Sequence, residues 1–521
     1  MTSPSPRRRR IIPASARPHA RTSPEGAPRA GEALGPAIER FLEAIERAQY
    51  EALAGLSDDP GLVAIYDRYA PLFEPTVFAD VAPPDGASEE DARRAALREF
   101  LALGIEGHRT RALQEAVLAA EAEASAAVDG ETVPYRQLPV RVRQEPDRAR
   151  RAALEEARLA IVAKQLNPFH HDILAASHAV ADELLGLPYD QYCFTLAGLD
   201  FDALETQCDA LLAETRDAHD DLLRHYVRRM LPGVRPDQVR THDLARLLHG
   251  SDFSDQFPGD TMLHRMARPM TAMGIDWTAD GRVEFDLEPR PTKTPRAFCA
   301  AIRVPDEVKL VLQPYGGHDD YTTFLHELGH ALHFAHVDPA QPLEFRRMGD
   351  NGVTEGFAIT FDHLMQLPQF LRRILAIERP DEFLRFAAFR ELVMLRRYAA
   401  KFQYERSLHR LGPSPALAAE YAARLTEATG ARTSAALYLE DVDPHFYCAR
   451  YLRAWMLTGV LYAALRSRFD EDWFLNPRTG EFFRELWSLG QREPAEQLAR
   501  DRLGGVELSF GPLLEMVHSR I

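Results

Sequence analysis

The chain contains very little lysine and very little cysteine. Of its 62 basic residues, only Lys164, Lys293, Lys309 and Lys401 are lysines, which leaves few candidates for amine or Schiff-base chemistry. The four cysteines, Cys193, Cys208, Cys299 and Cys448, are widely spaced and form no CxxC pair. That pattern argues against a zinc knuckle or a disulfide framework and points to a reducing, cytoplasmic setting. No run of about 18 apolar residues occurs, so no membrane span is expected. The arginine cluster at 7–10 is followed by Ile11-Ile12-Pro13-Ala14. An export signal would instead continue into about 7–15 apolar residues.

Positive charge is also in short supply. Against 62 basic residues stand 78 acidic ones, for a formal charge of −16 over 521 residues. The basic excess is local: residues 1–30 hold seven arginines and one glutamate, net +6, which leaves −22 for the rest. A general nucleic-acid binder draws its affinity from basic phosphate contacts and is excluded on this balance. Residues 1–33, rich in Pro, Arg, Ser, Ala and Gly, read as a disordered tail.

Beyond the tail, the chain reads as helix after helix. Ile38, Phe41, Leu42, Ile45 and Ala48 recur at helical spacing, as do apolar positions over 88–128, 143–185 and 200–231. Asp129-Gly130, Pro134, Pro168, Pro188 and Pro232-Gly233 mark breaks. The pattern changes near 281. Residues 283–287, 298–304 and 308–312 read as three short strands, and Pro314-Tyr315-Gly316-Gly317 as a turn. The expected organisation is a helical region over 34–256 and a second region over 257–521, forming one body around one small sheet.

Immediately after that sheet comes His326-Glu327-Leu328-Gly329-His330. Two histidines four residues apart lie about 40° apart around a helix, so both imidazoles can reach one ion. Glu327, one residue on from His326, can reach a metal-activated water instead of the metal. Asp319 and Asp320 suit the start of such a helix. Phe324, Leu325, Leu328 and Leu332 would pack it, and Gly329 would let another backbone approach near the ion. A third ligand is needed. His336, six residues after His330, points away if the helix continues through His333. Glu344 falls in a Pro342-containing connection. Glu355, 25 residues after His330, opens a helical run after Gly349-Asp350-Asn351-Gly352 and can meet the histidine face. His170-His171-Asp172 reads as polar residues at a helix start.

HELGHALHF followed by a 25-residue step to Glu355 resembles the M3 peptidase family of thimet oligopeptidase and oligoendopeptidase F. The stretch from Pro342 to Glu355 also resembles the M2 family of angiotensin-converting enzyme, one residue longer here. The resemblance is clearest over 257–365 and returns near 440–512. It implies a mainly α, two-lobed helical gluzincin with one small sheet beside the zinc helix. It further implies one Zn2+ per chain held by His326, His330 and Glu355, with Glu327 as general base and proton shuttle. Val308–Gln313 would be the edge strand pairing with a peptide substrate, with Val308, Leu310, Leu312, Gly316 and Gly317 at the substrate. His445, Tyr447 and Tyr451 match a downstream His/Tyr cluster that stabilises the oxyanion, with Tyr451 favoured over Tyr447 for the hydrogen bond. Asp443 and Ile359 stand where the M2 pattern has a carboxylate-anchoring Lys and a supporting Asp. Second-sphere support must then come from elsewhere, and His333 is a candidate. The function implied is a zinc-dependent oligopeptidase acting on short peptides. The alternatives are a carboxypeptidase or dipeptidyl carboxypeptidase of the same fold, or a catalytically inactive peptide-binding relative.

Overall fold

Most of the helical periodicity is realised. The computed structural model describes residues 34–57 and 61–521, and the tail expected at 1–33 lies outside them. The described chain is mainly helical with a small three-stranded sheet and one two-stranded hairpin. No described helix is long and apolar enough to cross a membrane.

In chain order, the elements that matter here begin with α1 (Leu34–Leu53) and the long α2 (Glu89–Glu123). Ser88 caps α2: its side chain accepts from the Asp91 N–H while Asp91 accepts from the Ser88 N–H, satisfying donors that a helix start leaves orphaned. The helical pattern read over 88–128 ends five residues early. Ser125–Val128 (β1) pairs antiparallel with Glu131–Pro134 (β2), because Asp129 and Gly130 both take left-handed backbone angles, φ 51° and 82°. Asp-Gly in that conformation matches the twist of a tight hairpin. Next come α3 (Arg148–Ile161), α4 (Asn167–Leu185) and α5 (Thr241–His249). His170, His171 and Asp172 fall in the first turns of α4, as expected.

The sheet comprises β3 (Val283–Asp286), β4 (Phe298–Arg303) and β5 (Glu307–Val311), in the order β3-β5-β4. This corrects the expected edge strand. β5 is central, parallel to β3 and antiparallel to β4, so Val308 and Leu310 are fully buried and cannot pair with a peptide. The Val308 and Leu312 N–H groups donate to Arg282 and Asp286 of the β3 side at 2.9 and 3.1 Å. Lys309 and Val311 therefore face β4, opposite Ala300 and Phe298. Alternation along a strand then turns the backbone groups of Cys299 and Ala301 to the outer edge. Further along, Arg347 and Arg346 donate to the Ile302 and Val304 carbonyls at 3.0 and 2.9 Å, closing that part of the edge.

The remaining helices are α6 (His318–Ala335), α7 (Asn351–Asp362), α8 (Asp381–Leu411), α9 (Pro415–Thr429) and α10 (Tyr447–Phe469). α7 packs against both α6 and α10, and every residue from Gly352 to Phe361 is buried. Its fully covered Phe357 and Phe361 contribute about 1.5–3 kcal/mol each by leaving water. One apolar core runs from Ala37 to Val517 and crosses the 256/257 boundary without a break. A second core joins β1, β2, α3 and the start of α4 to α8 and α9. Polar bonds also cross that boundary: Arg93 of α2 reaches Glu344 at 3.2 Å, and Arg450 of α10 pairs with Glu99.

Candidate metal centre

Two close helix crossings bring the motif together. A Cβ on Gly329 would lie 2.6 Å from the Ala358 Cα, so only glycine lets α7 approach α6 this closely. On the other face of α7, a Cβ on Gly356 would meet Leu457 of α10 at 2.7 Å. The start of α7 is fixed by Asp350, whose side chain accepts from the Gly352 N–H at 2.9 Å and holds Arg453 through both oxygens at 2.8 and 2.7 Å. Burial alone would raise the Asp350 pKa, but the Arg453 guanidinium holds it below the usual range.

The result places Glu355 beside both histidines. Its Oε2 lies 3.4 Å from His326 Nε2 and 3.5 Å from His330 Nε2. It is buried and has no hydrogen-bond partner among the described residues. The other oxygen, Oε1, accepts from the Tyr447 hydroxyl at 2.7 Å. Behind the imidazoles, His326 Nδ1 lies 3.0 Å from Asp362 Oδ2 and His330 Nδ1 lies 2.9 Å from Thr354 Oγ1. In its neutral form, with the Nδ1 proton directed at Asp362, His326 turns the Nε2 lone pair toward the carboxylate. A cation between them would meet lone pairs from both sides. Ligands at about 2.0–2.1 Å from a tetrahedral ion are about 3.3–3.4 Å apart, close to the two separations here. The donor set fits zinc.

Charge reinforces the cluster. Burial would raise the Glu355 pKa, yet His330 and His326 hold it well below the carboxylate range. Burial would lower the His326 pKa, and Asp362 and Glu355 overturn that and raise it. Both tyrosine hydroxyls are pushed up, first by burial and then by the Glu355 charge, so each stays a hydrogen-bond donor.

Of the three, His326 borders a cleft of about 1180 Å³ whose wall also includes Glu327, Asp362 and Tyr451. Leu312, Gly316 and Gly317 line it as well. Asp320 shapes this end of the cleft by accepting from the Tyr315 and Gly316 N–H groups. Cys299 lies close enough to Glu327 for that charge, after burial, to raise its thiol pKa.

Several expected residues are placed elsewhere. His445 lies 3.4 Å from Glu106 and 3.3 Å from the Tyr189 hydroxyl, and it and Phe446 both have φ 53°, a left-handed pair. His333 is fully buried with Nε2 3.2 Å from the Gly490 carbonyl and supports packing, so it gives the histidine ligands no support. His336 Nδ1 lies 2.8 Å from Leu332 O, and Glu344 is paired with Arg93. Cys448 is buried and donates to Glu405 at 3.0 Å. Asp362 and Thr354 were missed as supports. A sequence signal existed for Asp362: it lies seven residues beyond Glu355, two helical turns on the same face.

Glu405, Asp443 and Cys448 form a second group of suitable ligand types. Lys401 already supplies its cation, with Nζ 2.6 Å from Asp443 and 3.6 Å from Glu405. Comparison with known proteins adds nothing further: no family model matches the chain, and no curated protein matches it significantly.

Proposed function

We propose that the chain is a zinc-dependent metallopeptidase that hydrolyses short peptides, with the two-lobed gluzincin architecture and M3-type kinship expected from its motifs. The observation that carries this reading is the convergence of His326 Nε2, His330 Nε2 and the unpartnered Glu355 Oε2, with His326 opening onto a cleft that Glu327 and Tyr451 also line. Zinc, when bound, supplies a Lewis acid that polarises a carbonyl and makes water more acidic. Glu327 takes the proton of the attacking water and delivers it to the leaving amine nitrogen. The Tyr451 phenol donates to the oxyanion of the tetrahedral intermediate. Tyr447 holds Glu355 through Oε1, and Asp362 and Thr354 orient the imidazoles. The outer edge of β4, at Cys299 and Ala301, pairs with the peptide backbone and fixes a substrate without reading its side chains.

Glu327→Gln tests the assignment. The variant should keep one zinc per chain by metal analysis and lose peptide cleavage by about 10²-fold or more. Full activity in this variant sinks the mechanism. A carboxypeptidase reading is favoured by one observation: Arg143 and Arg296 line the same cleft, and a guanidinium fork suits a terminal carboxylate. Amidating the C-terminus of a test peptide separates the two, because an endopeptidase still cuts it.

A further inference from the structure

Outside the candidate metal centre, Arg240 and Arg432 are direct partners in an isolated parallel bridge. The Arg432 N–H donates to Val239 O at 2.9 Å, and the Thr241 N–H donates to Arg432 O at 3.2 Å. Side chains directly opposite in a parallel pair leave the same face, so these two cationic side chains emerge next to each other. Like charges so placed repel and destabilise. Compensation is thin. Arg240 has only the exposed Glu156 at 3.9 Å, and Arg432 is exposed with no carboxylate partner among the described residues.

Both arginines line a cleft of about 620 Å³ with Arg148, Arg235, Asp237 and His242. Arg235 is held by Asp237 at 3.0 Å, and Arg148 by Asp243 at 2.8 Å. Asp243 is already shared with buried Arg151 at 2.9 Å and with the Arg240 N–H at 3.2 Å. The guanidiniums of residues 148, 151, 235, 240 and 432 thus meet only the carboxylates of Glu156, Asp237 and Asp243. His242 is buried in the wall. Its Nδ1 is 3.4 Å from Asp243 Oδ1 but outside hydrogen-bonding geometry, and neither ring nitrogen has a hydrogen-bond partner among the described residues. The N-terminus of α5, the positive end of its dipole, begins at Thr241 beside them. All this lies in a chain whose formal charge is −16.

The geometry points to a second binding site here, an oxyanion site for a small phosphate-bearing ligand that carries at least two negative charges. Two uncompensated guanidiniums match a dianion, and their planar forks grip phosphate oxygens in pairs. The cleft has room for a diphosphate. The ligand relieves the Arg240–Arg432 repulsion, and its binding weakens as salt screens the charges.

The test titrates inorganic pyrophosphate into the full-length protein by calorimetry at low salt. One pyrophosphate should bind per chain, and Arg240→Gln/Arg432→Gln should weaken it by about tenfold or more. Arg432→Lys keeps the charge and loses the fork, so it should weaken binding less than Arg432→Gln does. Binding at the metal centre instead would survive the double substitution, and that result overturns the proposal. So does the lack of saturable binding up to about 10 mM, or equal affinity for sulfate, which removes the phosphate assignment. Should the double variant fold poorly, Arg432→Gln alone decides. Its melting temperature without ligand should equal or exceed that of the parent, because repulsion is relieved, and the shift induced by pyrophosphate should disappear. A lower melting temperature with an undiminished shift overturns the site.

Discussion

Tyr447 donates its phenolic proton to Oε1 of Glu355 across 2.7 Å, and that bond decides which carboxylate oxygen is left for a metal. Oε2, turned toward the two imidazoles, is the remaining one. Tyr451, one turn on, borders the cleft instead. The two tyrosines should therefore separate by phenotype. Tyr447→Phe should weaken zinc retention by about 10-fold or more in competition with a chelating dye. Tyr451→Phe should leave metal content unchanged and lower kcat by about 10²-fold or more. The reverse pattern would exchange their roles.

Gly329→Ala addresses the crossing of α6 and α7. The added methyl meets the Ala358 Cα at 2.6 Å, and the obstacle is backbone, which cannot rotate away. Overpacking of this kind costs about 1–3 kcal/mol. Urea unfolding should show that loss together with a drop in zinc content, since Glu355 moves with α7. Unchanged stability would mean that the two helices separate freely.

Cys299→Pro removes one outward N–H from β4. The strand's own bonds to β5 come from Phe298 and Ala300, so the sheet should persist, as proline is tolerated at an edge. Cleavage of extended peptides should lose about tenfold in kcat/KM, the worth of one hydrogen bond, with circular dichroism unchanged. An unaltered kcat/KM would exclude this edge as the substrate's partner.

Glu405 gives a pH dependence of its own. Burial pushes its pKa up from 4.5 to about 8, opposed by Lys401, whose ammonium lies nearer Asp443. An acid with a raised folded pKa binds its proton more tightly in the native state. Its contribution to stability is complete below about 4.5 and is lost as pH rises through about 8. Denaturation at several pH values across that window should show the parent losing stability relative to Glu405→Gln as pH increases. Parallel curves would refute the shift.

Much of the centre was legible in the sequence because local rules governed it. The spacing of His326 and His330 is set by helix geometry, and Gly329 marked the backbone approach that Ala358 makes. The strands near 283 and 308 were visible as alternation and the one near 298 as a short run. Their order was not, because pairing between strands depends on which backbone groups face each other across the sheet, and side-chain alternation is the same for a central strand and an edge strand. Val308 and Leu310 were therefore assigned to a substrate when they belong to the core. The partners of His445 were hidden for a related reason: nothing in Pro444-His445-Phe446 announces two left-handed residues in succession where no glycine is present. Asp129-Gly130 was read as a break, but its hairpin was hidden because residues 125–128 were taken into the preceding helical pattern.

The apolar core that runs from Ala37 to Val517 has a consequence for inheritance. Residues 257–521 carry the motif, yet they share that core with α1 and α2 and are tied to them by Arg93–Glu344 and Arg450–Glu99. The motif-bearing half is thus not a portable cassette. Recombination at residue 256 would leave two incomplete pieces, each with its half of the interior open to water, so the chain can be passed on and modified only as a whole.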